Sequence, residues 1–230
     1  MILASPQKIG PGIFVVAGPD LTDSRDALAY LIEDGGDLAL IDAGAGPGYS
    51  RILDMIKAAG HDPARLSVVI ATHNHIDHIG SLPYFARDFS PVIAAHAEDV
   101  PAIEAADPVI TAANWYGLKP KPVEVRLKLQ GPINQILLGQ TELVCLHTPG
   151  HTPGSLVVYL DRDGKRYLFG QDIHGPFDPL FGSDIKAWRN SMRALLDLKA
   201  DVLGEGHYGV YQGPENVAGF IQGFLDSFSE

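Results

Sequence analysis

The chain has 230 residues, an apolar fraction of 46% and a formal net charge of −11, from 17 basic and 28 acidic side chains. Its length and composition suit one large buried core, read here as a single domain over 1–230. The acidic balance argues against a nucleic-acid partner, which needs Lys and Arg gathered in a patch, and no run of about 18 apolar residues offers a membrane span.

The N-terminus carries no basic segment followed by an apolar one, and Cys145, the single cysteine, has no internal disulfide partner, so a cytoplasmic location is expected. Residues 27–33 and 37–42 are apolar, β-compatible runs around Asp34-Gly35-Gly36 and predict a hairpin. The spacing of Ile52, Met55 and Ile56 predicts a helix over 49–59 that stops at Gly60. The apolar run 66–71 predicts a strand, and His73-Asn74-His75-Ile76-Asp77-His78 stands just after it. A helix should follow, with Leu82, Phe85 and Phe89 on one face and Pro83 in its first turn, where a missing N–H is tolerated.

A strand at 92–95 and a helix over 96–106 come next. Residues 107–122 are irregular, with Pro108, Pro120, Pro122 and the bulky pair Trp115 and Tyr116, which suit either a pocket wall or core packing under a loop. β character returns at 123–129, 135–138, 142–147, 155–160 and 166–170, with Cys145 as a packed strand thiol. Helices over 186–198 and 215–227 flank a strand at 201–203. This order predicts two packed sheets covered by helices.

Residues 73–78 place four candidate metal ligands in six positions. Side chains alternate along an extended chain, so His73 and His75 point the same way and can chelate one ion. Asp77 and His78 follow where the chain must turn, and can serve a second. Two ions held only from this segment would be under-coordinated, so more ligands are expected at other strand ends. His151 sits in the Pro- and Gly-stiffened turn 148–155, Asp172 follows the strand 166–170, and His207 follows 201–203.

This set, His73-x-His75-x-Asp77-His78 with His151, Asp172 and His207 after it and Leu40-Ile41-Asp42-Ala43-Gly44 before it, resembles the metallo-β-lactamase superfamily in order over residues 38–210. The resemblance implies an α/β fold, a four-layer αβ/βα sandwich of two mixed β-sheets flanked by helices, with the site at one edge between the sheets. It implies one ion at His73, His75 and His151, another at Asp77, His78 and His207, and Asp172 bridging them. Asp42 would orient ligands by hydrogen bonds. The bridging acid is similar to that of glyoxalase II and acyl homoserine lactonases; β-lactamases of the family have a cysteine ligand or lack that acid. Glyoxalase II also carries a helical C-terminal segment for glutathione, whereas only about 20 residues follow the His207 loop here.

The implied function is that of a metal-dependent hydrolase with two divalent ions, zinc foremost, although iron and manganese fit the same ligands. A hydroxide bridging the ions would attack an ester, thioester or lactone in a small molecule bearing a carbonyl or anionic group. Asp77 is expected to shuttle the proton. Tyr208, beside His207, would donate to the carbonyl or leaving group, or else pack beneath the loop. His174 fits the cleft or a solvent-facing loop, His147 a strand end, and His61 and His96 structural or exposed positions. Phe177, Phe181 and Trp188 are expected to wall the cleft. The rival is a mononuclear iron oxidoreductase of the persulfide dioxygenase type, in which two His and the Asp at the bridging position hold one iron. Substrate identity and oligomeric state are left open.

Overall fold

The computed structural model describes residues 5–228. Strands β1 (Gln7–Gly10), β2 (Ile13–Ala17), β3 (Ala29–Asp34), β4 (Asp37–Ile41), β5 (Leu66–Ile70), β6 (Val92–His96) and β7 (Leu127–Leu129) lie in chain order in one seven-stranded sheet. Pairing is antiparallel from β1 to β4 and parallel from β4 to β7. Strands β8 (Ile133–Leu138), β9 (Thr141–His147), β10 (Leu156–Arg162), β11 (Lys165–Gly170), β12 (Val202–Glu205) and β13 (Gly209–Gln212) form the second sheet, antiparallel except between β11 and β12. The helices are α1 (Tyr49–Ala58), α2 (Ile76–Ile79), α3 (Leu82–Phe89), α4 (Val100–Ala105), α5 (Ile185–Asp197) and α6 (Pro214–Ser227).

The central strands are continuously apolar because both faces are covered. From β3, β4 and β5, Leu31, Leu40 and Val69 pack with Ile52 and Ile56 of α1, Phe85 of α3 and Ile103 of α4. The alternate residues Tyr30, Ile32, Ile41 and Ile70 meet Leu143, Val158 and Phe169 of the second sheet. On that sheet's far side, Leu168 and Leu203 pack against Trp188, Met192 and Leu195 of α5 and Ile221 of α6. The result is four layers, helices and sheet against sheet and helices. A one-residue slip would exchange the two faces of a strand, so this patterning holds register firmly.

Five elements depart from the expectations above. β1, β2 and β13 come from segments to which the sequence reading assigned no strand. The helix expected over 96–106 shrinks to α4, because Pro101 fits only a first turn and His96 completes β6. Of 123–129 only Leu127–Leu129 pairs, although Val123 and Val125 are buried in the helix-side core. No helix among the described residues is long and apolar enough to cross a membrane. The loops after β4, β5, β11 and β12 and the β9–β10 turn gather the candidate ligands at one edge of the two sheets.

Candidate metal centre

Each candidate ligand stands where a strand has just ended. After β5 the chain bends at 72–74, where His73 lies, and is extended again at His75 (φ −72°, ψ 145°) before α2 turns Asp77 and His78 onto separate directions. His151 lies in the β9–β10 turn, which rests on the start of α5. There a Cβ on Gly150 would stand 2.3 Å from Trp188 Cβ, so glycine is required. The Asp184 N–H donates to Gly150 O (2.8 Å) and the Ser183 hydroxyl to His151 O (2.6 Å), fixing the turn. Asp42 and Asp172 both adopt left-handed backbone, at φ 59° and 51°, a region that Asp tolerates better than most residues and that clusters at functional sites. A Cβ on Gly206 would stand 2.6 Å from Asp172 Oδ1, so that glycine leaves room for the carboxylate. Beside the centre the Leu156 N–H donates to Thr72 O at 2.9 Å, joining the two sheets.

The side chains converge in two groups, His73, His75, His151 and Asp172, and Asp77, His78, His207 and Asp172, with ligand atoms within 4.8 Å of one another in each. Asp172 spans both. Its Oδ2 lies 3.6 Å from His73 Nε2 and 3.5 Å from His151 Nε2; its Oδ1 lies 3.2 Å from His78 Nε2 and 3.1 Å from His207 Nε2. His75 Nδ1 is 2.9 Å from His151 Nε2, and Asp77 Oδ2 is 3.2 Å from His207 Nε2. Metal–ligand bonds of about 2.0–2.1 Å in a tetrahedral shell put neighbouring donors about 3.3 Å apart, so these spacings fit. His73 Nε2, Asp77 Oδ2, His78 Nε2 and Asp172 Oδ1 are buried without a hydrogen-bond partner. Buried polar atoms are ordinarily satisfied, and a cation in each group would satisfy all four. The two groups are compatible with a dinuclear metal site.

Hydrogen bonds behind the rings set which nitrogen faces inward. His78 Nδ1–H donates to Asp42 Oδ2 (2.7 Å), and His151 Nδ1–H donates to Pro176 O (2.7 Å). The Thr72 hydroxyl gives its proton to Asp42 Oδ2 (2.8 Å), so it accepts from His73 Nδ1–H at 3.2 Å. His73 and His151 therefore turn an unprotonated Nε2 toward the centre, and His78 also presents its Nε2 there.

Charge separates the groups. Burial, reinforced by His78, holds His73 well below its usual range. Burial and the adjacent His151 push His75 down to about 3, and burial also lowers His151. These are neutral donors at pH 7. In the other group burial again opposes charge, but Asp172 and Asp77 outweigh it, holding His78 well up and raising His207 to about 10. Burial would raise Asp77 and Asp172 as well, yet His78 and His207 hold both carboxylates well below their usual range.

Two buried acids that the sequence reading gave no role brace the loops. Asp99, 1% exposed, accepts from Thr152 Oγ1 (2.7 Å) and the Gly154 N–H (2.7 Å), and its carboxylate also takes the Asn74 N–H. It thus ties the start of α4 to the His151 turn, beside the segment between His73 and His75. An Asp one residue before a Pro-containing helix reads as an ordinary cap, which hid this role. Glu205, fully buried, accepts from the His207 N–H (2.7 Å), the Tyr208 N–H (3.0 Å) and His174 Nδ1–H (2.6 Å).

A cavity of about 180 Å³ opens beside the ligands, walled by Trp115, Tyr116, Pro176 and Phe181 and reaching His174 and His207. The Tyr116 phenol lies near the Asp77 carboxylate, and burial with that carboxylate's charge keeps the phenol protonated. Tyr208 is 54% exposed, packs on His174, Phe220 and Phe224, and does not line this cavity. Trp115 and Tyr116 thus take the wall position, and of Phe177, Phe181 and Trp188 only Phe181 lines the cavity; Trp188 is buried behind, donating to Ile173 O (2.7 Å), with Phe177 packed on it. His96 and His147 stack 3.7 Å apart and nearly parallel, so their lone pairs run side by side instead of converging on an ion.

The sequence model of the metallo-beta-lactamase superfamily matches residues 23–207, a span that holds every candidate ligand. The acyl-coenzyme A thioesterase MBLAC2 of Gallus gallus is 26% identical over 232 residues, covering 89% of this chain and 80% of its own. An uncharacterized protein of Aquifex aeolicus (strain VF5) is 30% identical over 186 residues, covering 76% of this chain and 81% of its own. The subclass B3 metallo-beta-lactamase BJP-1 of Bradyrhizobium japonicum superposes with a TM-score of 0.81 at 21% identity, over 98% of this chain and 93% of that one, a likeness of fold. The matched span, the layered sheets and the His and Asp clusters at their edge agree, and the chain belongs to the metallo-beta-lactamase superfamily of metallo-hydrolases.

Proposed function

We propose that the protein is a metal-dependent hydrolase of an ester, thioester or lactone, with two divalent ions, zinc foremost. His73, His75 and His151 would hold one ion, Asp77, His78 and His207 the other, and Asp172 both. The observation that carries this reading is the division of the Asp172 carboxylate, one oxygen 3.5 and 3.6 Å from the first group's imidazoles and the other 3.1 and 3.2 Å from the second's. When bound, the ions supply a hydroxide at neutral pH, by lowering the pKa of water from 15.7 to about 7, and polarise the acyl oxygen.

The chain's own residues supply the rest. Asp77 stays ionised, and its carboxylate would take a proton and pass it to the departing alkoxide or thiolate. The Tyr116 phenol, kept protonated beside that carboxylate, would help to orient it. Trp115 and Phe181 screen one side of the cavity from water. A small acyl compound as substrate is supported by the acyl-coenzyme A thioesterase relative.

Elemental analysis of the purified protein, with turnover of esters, thioesters and lactones before and after chelation, tests the reading. Two zinc per chain and hydrolysis that chelation removes and zinc restores are expected. One iron per chain with sulfur-dependent oxygen uptake would replace it with the persulfide dioxygenase type of chemistry.

A further inference from the structure

An apolar track leads from the candidate centre to solvent. Phe181, 2% exposed, packs edge-on against His75 with ring centres 4.5 Å apart, and Trp115 packs on Phe181 at 4.9 Å. Trp115 itself is 58% exposed. Scattered exposed apolar residues are normal, but here they gather: Val109 and Ile110 share the Trp115 loop, and exposed Leu180 adjoins Phe181. The loop is firmly built. Asp107 Oδ1 accepts from the Val109 and Ile110 N–H groups at 2.8 and 3.0 Å, and Thr111 O accepts from the N–H of Ile76, next to Asp77, at 2.8 Å. An exposed tryptophan held this way is a displayed surface, not slack in a loop.

The same cavity has no Lys or Arg among its lining residues, and Lys121, near the end of the 107–122 segment, lies over the Tyr84 ring. Phosphate and carboxylate carriers are recognised by such cations, bidentately where Arg is used. The net charge of −11 adds no general attraction for an anion.

We infer that the cleft selects its substrate by an aliphatic acyl chain laid along Phe181 and Trp115, and is indifferent to the charged carrier on the other side of the scissile bond. The inference rests on the hydrolase reading and narrows it to acyl esters and thioesters in which the acyl half supplies recognition. The cavity of about 180 Å³ would take a short chain, on the order of six non-hydrogen atoms at about 30 Å³ each, before the chain runs out along Trp115.

The test uses the two-zinc holoenzyme and acetyl, butyryl and hexanoyl thioesters of coenzyme A and of N-acetylcysteamine, which lacks the phosphates. Binding of acetate, butyrate and hexanoate is measured alongside by calorimetry. Expected are a rise in kcat/KM of about fourfold per methylene, carrier values within about threefold of each other, and a parallel rise in carboxylate affinity. Trp115→Ala should cost the hexanoyl substrates about tenfold more than the acetyl ones, and Trp115→Phe should restore most of that difference. A preference for the coenzyme A thioesters beyond about thirtyfold, or no dependence on chain length, would overturn the inference while leaving the hydrolase intact. If nothing is hydrolysed by protein carrying two zinc ions, the hydrolase reading falls. Carboxylate affinity that still climbs with length in the parent and not in Trp115→Ala would uphold the apolar track, and flat affinity would overturn it.

Discussion

The His73, His75 and His151 group and the Asp77, His78 and His207 group share Asp172 and differ in nearly everything else. The first is closed and neutral: its imidazoles are all buried, and the hydrogen bonds behind His73 and His151 run to a hydroxyl and a carbonyl. The second is charged and partly open, with a carboxylate behind His78 and the His207 side chain 30% exposed. Neutral donors need give up no proton to accept an ion near pH 7, whereas charged donors must. On the proposed hydrolase reading, the contrast would give tighter ion retention to the first group and proton traffic to the second.

The largest effect should come from the residue the groups share. Asp172→Asn is expected to lower metal content below two per chain and kcat/KM by about a thousandfold; loss of only the second group's ion would show the groups to be more independent than the divided carboxylate implies. Asp99 lies on the first side alone. Asp99→Ala should weaken metal binding there by about 10- to 100-fold in a competition titration, with the second ion retained.

The same residue gives that side a pH signature. Burial pushes the Asp99 carboxyl from 3.8 up to about 6, so between those values the folded protein keeps a proton that the unfolded chain has lost. Stability therefore falls as pH rises from about 4 to about 6, by about 3 kcal/mol. Urea melts of Asp99→Asn over that range should lack this slope; an unchanged slope would place its origin elsewhere. The smallest effect is expected from Tyr116→Phe, which touches the second group only: kcat down by about tenfold with both ions retained. Loss of metal in that variant would make Tyr116 a support of the ligands and erase the distinction between the two sides.

The fold and the ligand cluster were legible because their signals are local. Alternation of buried faces in β3 to β5 is written in consecutive residues, and His73 to His78 lie in one short segment. The resemblance then linked His151, Asp172 and His207 across the chain. What stayed hidden depends on distant partners. Asp99 reaches Thr152 and Gly154, residues more than 50 positions away. Tyr116 could be read equally as wall or core, since only the packing of its loop on Ile76 brings its hydroxyl to Asp77. β2 is an exception, an apolar run bounded by Pro11-Gly12 and Gly18-Pro19 whose strand signal is local.

The hydrogen bond from Leu156 to Thr72 marks where the two sheets meet beside the cluster. His73, His75, Asp77 and His78 hang from the first sheet, and His151, Asp172 and His207 from the second. An ion held there would be a rivet through the seam of the sandwich, drawing together segments as far apart in sequence as residues 73 and 207. Losing the ion and parting the halves would then be a single event, and the same few side chains would serve as reagent and as fastener.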